Sequence, residues 1–123
     1  MIRSLTTAAC MALIALPLFA QDVSTGTGAV LRGLDKVNGE TGDMDLANGG
    51  TDVFGDMRVT LGECRYPVGN PAGDAFAYVT IKQISKDQQV FQGWMMASAP
   101  ALNALDHARY DIWVLRCNTP AAE

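Results

Sequence analysis

Met57-Arg58-Val59-Thr60-Leu61 alternates apolar and polar side chains at every step. Consecutive strand residues point to opposite faces of a sheet, so Met57, Val59 and Leu61 share one face and Arg58 and Thr60 the other. The stretch runs on as Gly62-Glu63-Cys64-Arg65-Tyr66, where Cys64 has the wrong parity for the face that Leu61 belongs to. Gly62 is placed to hold a β-bulge, an extra residue that would return Cys64 to that face. Met57 to Tyr66 is therefore read as a strand with one buried face.

The same punctuation recurs outward from it. Ala29 to Asp35 is β-compatible and apolar, and Asn38-Gly39 and Thr41-Gly42 mark a turn. In Asp43 to Ala47, Met44 and Leu46 alternate with Asp43 and Asp45, and Asn48-Gly49-Gly50 then supplies residues that tolerate positive φ, a hairpin signal. Pro67 to Asp74 holds two Pro and two Gly and reads as a loop. Ala75 to Ile84 is rich in β-formers, Ser85 to Gln88 turns the chain, and Val90 to Ala97 gathers Phe91, Trp94, Met95 and Met96 around Gly93. Ala99 to Ala108 is the one helical candidate, with Pro100 in its first turn and Leu102 and Leu105 near helical spacing. Asp111 to Cys117 closes the domain as a strongly apolar strand. Short strands between Gly, Pro and Asn turns predict an all-β fold: a small antiparallel sandwich or partly closed barrel, with one short helix or turn before the last strand.

The chain has 123 residues, of which 49% are hydrophobic and 18% charged, with 12 Gly and 5 Pro. That is too apolar for a disordered tail and lacks the period of collagen. A formal net charge of −4 without a basic run argues against nucleic-acid binding, which needs clustered Lys and Arg on phosphates.

Residues 1–20 read as a secretory signal. Arg3 supplies the positive start, Leu5 to Phe19 carries no charge, Pro17 breaks the run, and Ala20 suits the small position before a cleavage site. The run falls short of the roughly 20 residues that a spanning helix needs; an uncleaved N-terminal anchor is the alternative. Cys10 lacks the Leu usual ahead of a lipidated Cys. Cleavage would leave 103 residues (123 minus 20) and a net charge of −5. The expected division is signal 1–20, flexible leader 21–28, one β domain 29–119 and a tail 120–123, with a periplasmic address.

Cys10 leaves with the signal, so Cys64 and Cys117 remain. An even count in an exported chain reads as one disulfide, with two free thiols as the alternative. Only His107 is available as an imidazole ligand, so no zinc site is expected, and no C-x-x-C redox pair is present. Asp43, Asp45, Asp52 and Asp56 around Asn48-Gly49-Gly50 depart from calcium-loop order, since Ala47 stands where a ligand belongs and no Glu closes the loop. Asp106-His107 beside Ser98 is the one arrangement with a hydrolase flavour, but Ser98 sits in Met96-Ala97-Ser98-Ala99-Pro100, outside a nucleophile elbow. No catalytic group, metal or cofactor is expected.

Trp94-Met95-Met96 and Ile112-Trp113-Val114 place bulky groups at consecutive positions, which on a strand face opposite ways. Either both faces are covered, or an apolar patch is left for a partner. Trp94, Met95, Met96 and Trp113 are the expected anchors, because large aromatics and Met dominate interface centres. A ligand face for a small molecule or envelope glycan is the alternative reading of the same aromatics.

Phe91 to Leu102, with its Gly93-Trp94-Met95-x-Ala97-Ser98-x-Pro100-Ala101-Leu102 pattern, and Tyr110 to Cys117, with Tyr110-Asp111-x-Trp113-Val114-Leu115-x-Cys117, resemble an exported domain family of unknown function from alphaproteobacteria. Leu34-Asp35-Lys36-Val37 and Cys64-Arg65 fit as well, so the resemblance runs from about Val30 to Cys117. It implies a periplasmic address and paired cysteines, and it brings no catalytic residues. Members resemble neighbours of respiratory complex I accessory proteins. This implies a protein partner in an inner-membrane assembly, contacted from the periplasmic side.

Overall fold

The computed structural model describes residues 22–120. The expected signal segment 1–20, with Cys10, lies outside the described residues, as do Gln21 and the last three residues.

The alternating stretch becomes the longest strand, β5 (Met57–Pro67), and it organises one sheet. Along one edge it pairs with β1 (Val23–Thr25) and β4 (Thr51–Phe54); along the other it pairs with β6 (Phe76–Gln83), which pairs with β7 (Gln88–Met96). The second sheet has the order β3 (Thr41–Ala47), β2 (Gly28–Asp35), β8 (Tyr110–Asn118). Every pairing is antiparallel. The two sheets form an open sandwich.

Alternation decides what lies between them. Met57, Val59 and Leu61 of β5, Ala77, Val79 and Ile81 of β6, Leu31 of β2, and Ile112 and Val114 of β8 are buried in one cluster. The Gly62 bulge is present: Leu61 pairs with Val79 but Cys64 with Ala77, so three steps on β5 oppose two on β6. Cys64 thereby regains the core face, and its sulfur is bonded to that of Cys117 on β8, with a Cα–Cα distance of 5.5 Å. The disulfide thus joins the two sheets.

Two expectations are corrected. The segment read as leader is built into the fold from Asp22 onward. Val23–Thr25 forms β1, Gly28 opens β2, and Gly26 and Thr27 donate backbone hydrogen bonds to the carbonyls of Cys64 and Asn118. Its small residues serve close approach: a Cβ on Gly26 would stand 2.6 Å from the Asn118 carbonyl oxygen. Asn48-Gly49-Gly50 makes no hairpin, because the chain there crosses from one sheet to the other and exchanges backbone hydrogen bonds with Leu61. The tight hairpin turn instead falls at Gly55-Asp56, where Gly55 has φ +55°.

The short helix or turn expected before the last strand is present, and within Ala99 to Ala108 it is confined to Pro100–Leu102, a single 3-10 turn. Ala99 offers no capping side chain, Asn103 is extended, and its side-chain amide donates to the Trp94 carbonyl instead. Leu102 is exposed and only Leu105 enters the core, so helical spacing there had no apolar face to bury. Residues 97–109 form a strap between β7 and β8, plugged at Leu105.

Candidate functional site

The outer face of the β1–β7 sheet carries an aromatic shelf. In β6, Ala77, Val79 and Ile81 point inward, so Phe76, Tyr78 and Thr80 point outward. In β7, Met95 is 2% exposed while its neighbour Trp94 is 39% exposed. Tyr78 and Trp94 are direct cross-strand partners and their rings meet edge-on at 5.3 Å. The Arg65 guanidinium lies 4.9 Å from the Trp94 ring centroid and is paired with Glu63 at 2.6 Å. Val23, Arg65, Phe76 and Trp94 enclose a shallow cavity of about 310 Å³.

Trp113 belongs to a different surface. Ile112 and Val114 are buried, so Trp113 stands on the outer face of the other sheet, opposite Arg32. Its side of β8 and the strap form a groove of about 430 Å³ lined by Lys36, Pro100, Ala101, Ala104, Leu105, Asp111, Ile112 and Trp113. Lys36 is held by donating to the His107 carbonyl at 2.7 Å. Leu102 and Val37, the two most exposed large hydrophobics among the described residues at 76% and 72%, adjoin lining residues Ala101 and Lys36 in the chain. Of the four residues expected as anchors, Met95 lies in the core, Met96 is half-buried beside the shelf, and Trp94 and Trp113 face out from separate sheets. Phe76, Tyr78, Arg65, Lys36 and Leu102 were not expected as site residues from the sequence. Phe76 and Tyr78 were legible from the parity of Ala75 to Ile84; the positions of Arg65 and Lys36 depend on long-range packing.

The residues with a hydrolase flavour are engaged elsewhere. The Ser98 hydroxyl donates to Asp74 Oδ2 at 2.6 Å and its N–H to Oδ1 at 2.9 Å. Burial of Asp74 opposes ionisation, but these bonds and one from the Ala75 N–H outweigh it and hold the carboxyl below its ordinary range. His107 Nδ1 accepts from the Arg109 and Tyr110 N–H groups, closing the turn into β8. No hydrogen bond joins Ser98 to His107.

The four aspartates are likewise divided. Asp43 pairs with Arg32, Asp45 accepts from Asn118, Asp52 accepts from the Val53 N–H, and Asp56 accepts from Ser85 and Gln83. Among the described residues no three His, Cys, Asp or Glu side chains converge as metal ligands.

Residues 29–117 match a family model described as "Uncharacterized protein conserved in bacteria (DUF2155)". A Rickettsia prowazekii (strain Madrid E) protein, "Uncharacterized protein RP359", is 23% identical over 103 residues. That alignment spans 81% of this chain and 66% of the relative, so the chain covers just under two-thirds of the relative's length. No solved structure matches. Both findings agree with the resemblance to a bacterial domain of unknown function, and Rickettsia is an alphaproteobacterium.

Proposed function

We propose, from the premise that the chain belongs to the DUF2155 family of bacterial proteins, that it is a non-catalytic periplasmic domain that docks on a protein in an inner-membrane assembly. The observation that carries this reading is the groove along β8. Its lining is largely apolar, Trp113 forms one wall, and Leu102 and Val37 stand exposed beside it. Exposed bulky apolar groups around an indole are the composition of an interface centre, not of a solvated face. The divided serine, histidine and aspartates support a role without catalysis. The signal-like residues 1–20 support export, and the resemblance to neighbours of complex I accessory proteins makes respiratory complex I the first assembly to examine.

The test is recovery of the tagged chain, at its native level, from gently solubilised membranes. It should return with the subunits of one inner-membrane assembly, and Leu102→Asp or Trp113→Ala should abolish that recovery while leaving the folded fraction unchanged. Return of monomer alone refutes the reading. A second reading, a small ligand or glycan in the same groove, is favoured by one feature: charged Lys36 and Asp111 both line it together with Trp113. Saturable binding of a soluble envelope glycan, lost in Trp113→Ala, would select it.

A further inference from the structure

The aromatic shelf surrounds the point where the chain enters the fold. Val23, the first residue of β1, itself lines the shallow cavity with Arg65, Phe76 and Trp94. The Val68 N–H donates to the Asp22 carbonyl at 3.2 Å, so Val68 stands beside the same entry point. Val23, Val68 and Trp94 are 40%, 58% and 39% exposed, so three of the seven exposed large hydrophobics among the described residues gather at this one end. The half-buried Phe76, Tyr78 and Met96 extend the patch inward.

The chain that arrives here is the uncharged apolar run Leu5–Phe19. Only Ala20, Gln21 and Asp22 separate Phe19 from Val23, a span of at most about 14 Å when fully extended. In the form that keeps this run as an uncleaved N-terminal anchor, the alternative to cleavage, Val23 stands no farther from the bilayer than this. The side chains around Val23 are those that settle at a bilayer surface: indole and phenol rings with polar tips, small apolar groups, and a guanidinium beside them.

The geometry points to a lipid surface as the occupant of this end in the anchored form: the Trp94 shelf rests in the headgroup region of the membrane, and the Trp113 groove is left free to face a protein partner. Attraction to anionic lipid is not the driving force. The net charge is −4 and Arg65 is already paired with Glu63, so the contact is apolar and aromatic and insensitive to salt. This holds independently of which protein fills the groove.

The two tryptophans supply the test. The full chain, as Trp113→Phe and as Trp94→Phe, is reconstituted in phosphatidylethanolamine–phosphatidylglycerol vesicles whose acyl chains are brominated next to the headgroup. Trp94 emission should shift to the blue and be quenched, equally at low and high salt. Trp113 should stay unquenched, since it lies five residues up β8 from Asn118, about 16 Å along the strand. Val68→Asp, an exposed site that leaves the core intact, should abolish the quenching of Trp94. Trp94 left unquenched, or both tryptophans quenched alike, overturns the orientation. Recovery of the partner assembly would survive that failure, which separates it from failure of the docking reading.

Discussion

Replacing Cys64 and Cys117 together by alanine tests how much of this fold is held by its one sheet-to-sheet bond. The two residues lie 53 positions apart, and the closed loop takes in the end of β5 from Cys64 to Pro67, all of β6, β7 and the strap, and most of β8. Closing a loop of this length removes unfolded-chain entropy worth about 4 kcal/mol at room temperature. Domains of this size are stable by only about 5–15 kcal/mol, so the loss is a large share of the total. Cys64 is fully buried and Cys117 nearly so, and truncation adds a small loss of packing in the same direction. With a urea slope of about 1.5 kcal/mol per M, the midpoint should fall by roughly 2–3 M. The assay is urea unfolding of the oxidised wild type and the double variant, followed by far-UV circular dichroism. A fall of less than about 0.5 M would refute the reasoning, because the unfolded chain would then gain nothing from its freedom.

Two further outcomes rest on the same scaffold. Gly26→Ala should destabilise by about 1–3 kcal/mol in the same urea assay, since its Cβ would stand 2.6 Å from the Asn118 carbonyl oxygen, a backbone atom held in β8. On acidification, stability should be steady near neutrality and then fall below about pH 4. Asp35 is held below the ordinary carboxyl range by hydrogen bonds from Arg109, and Asp56 by the Ser85 hydroxyl. Depressed folded-state values mean that the unfolded chain binds more protons, so their contribution is present above the unfolded value and is lost as pH falls through the folded one. Urea midpoints measured from pH 7 to pH 3 check this, and midpoints that rise on acidification would contradict it.

Strand positions were legible where one face is buried and the other wet. Met57 to Leu61 and Asp43 to Ala47 alternate because each has one face to bury, and the parity break at Cys64 reported the bulge that lets the disulfide reach Cys117. Sheet membership was not legible. Asn48-Gly49-Gly50 has the composition of a hairpin turn, yet β3 and β4 lie in different sheets, because β4 finds its partner in the first half of β5. Turn chemistry specifies a local reversal and is silent on which neighbour the next strand pairs with. The leader was misread for a related reason. Ser24 and Thr25 are ordered by pairing with Tyr66 and Arg65, and Gly26 and Thr27 by bonds to Cys64 and Asn118, all residues far along the chain.

The proposed anchors show how far parity carries a functional reading. Bulky groups at consecutive strand positions do imply that both faces of the strand are apolar, and in β7 and β8 they are. Met95, Ile112 and Val114 fill the interior, and Trp94 and Trp113 stand outside. What parity leaves open is whether two outward residues share a surface. Here they do not: β7 and β8 are edge strands of different sheets, so the outward side of one faces away from the outward side of the other. Sandwiched sheets lie about 10 Å apart, so the two indoles are separated by the full thickness of the core. One flat partner surface cannot cover both, and each indole has its own setting: Trp94 beside Arg65, Tyr78 and the incoming N-terminal segment, Trp113 beside Lys36, Asp111 and the strap. A domain with two unlike apolar faces on opposite sides is suited to standing between two unlike neighbours. In the proposed reading that pair is a membrane on one side and a protein rising from it on the other.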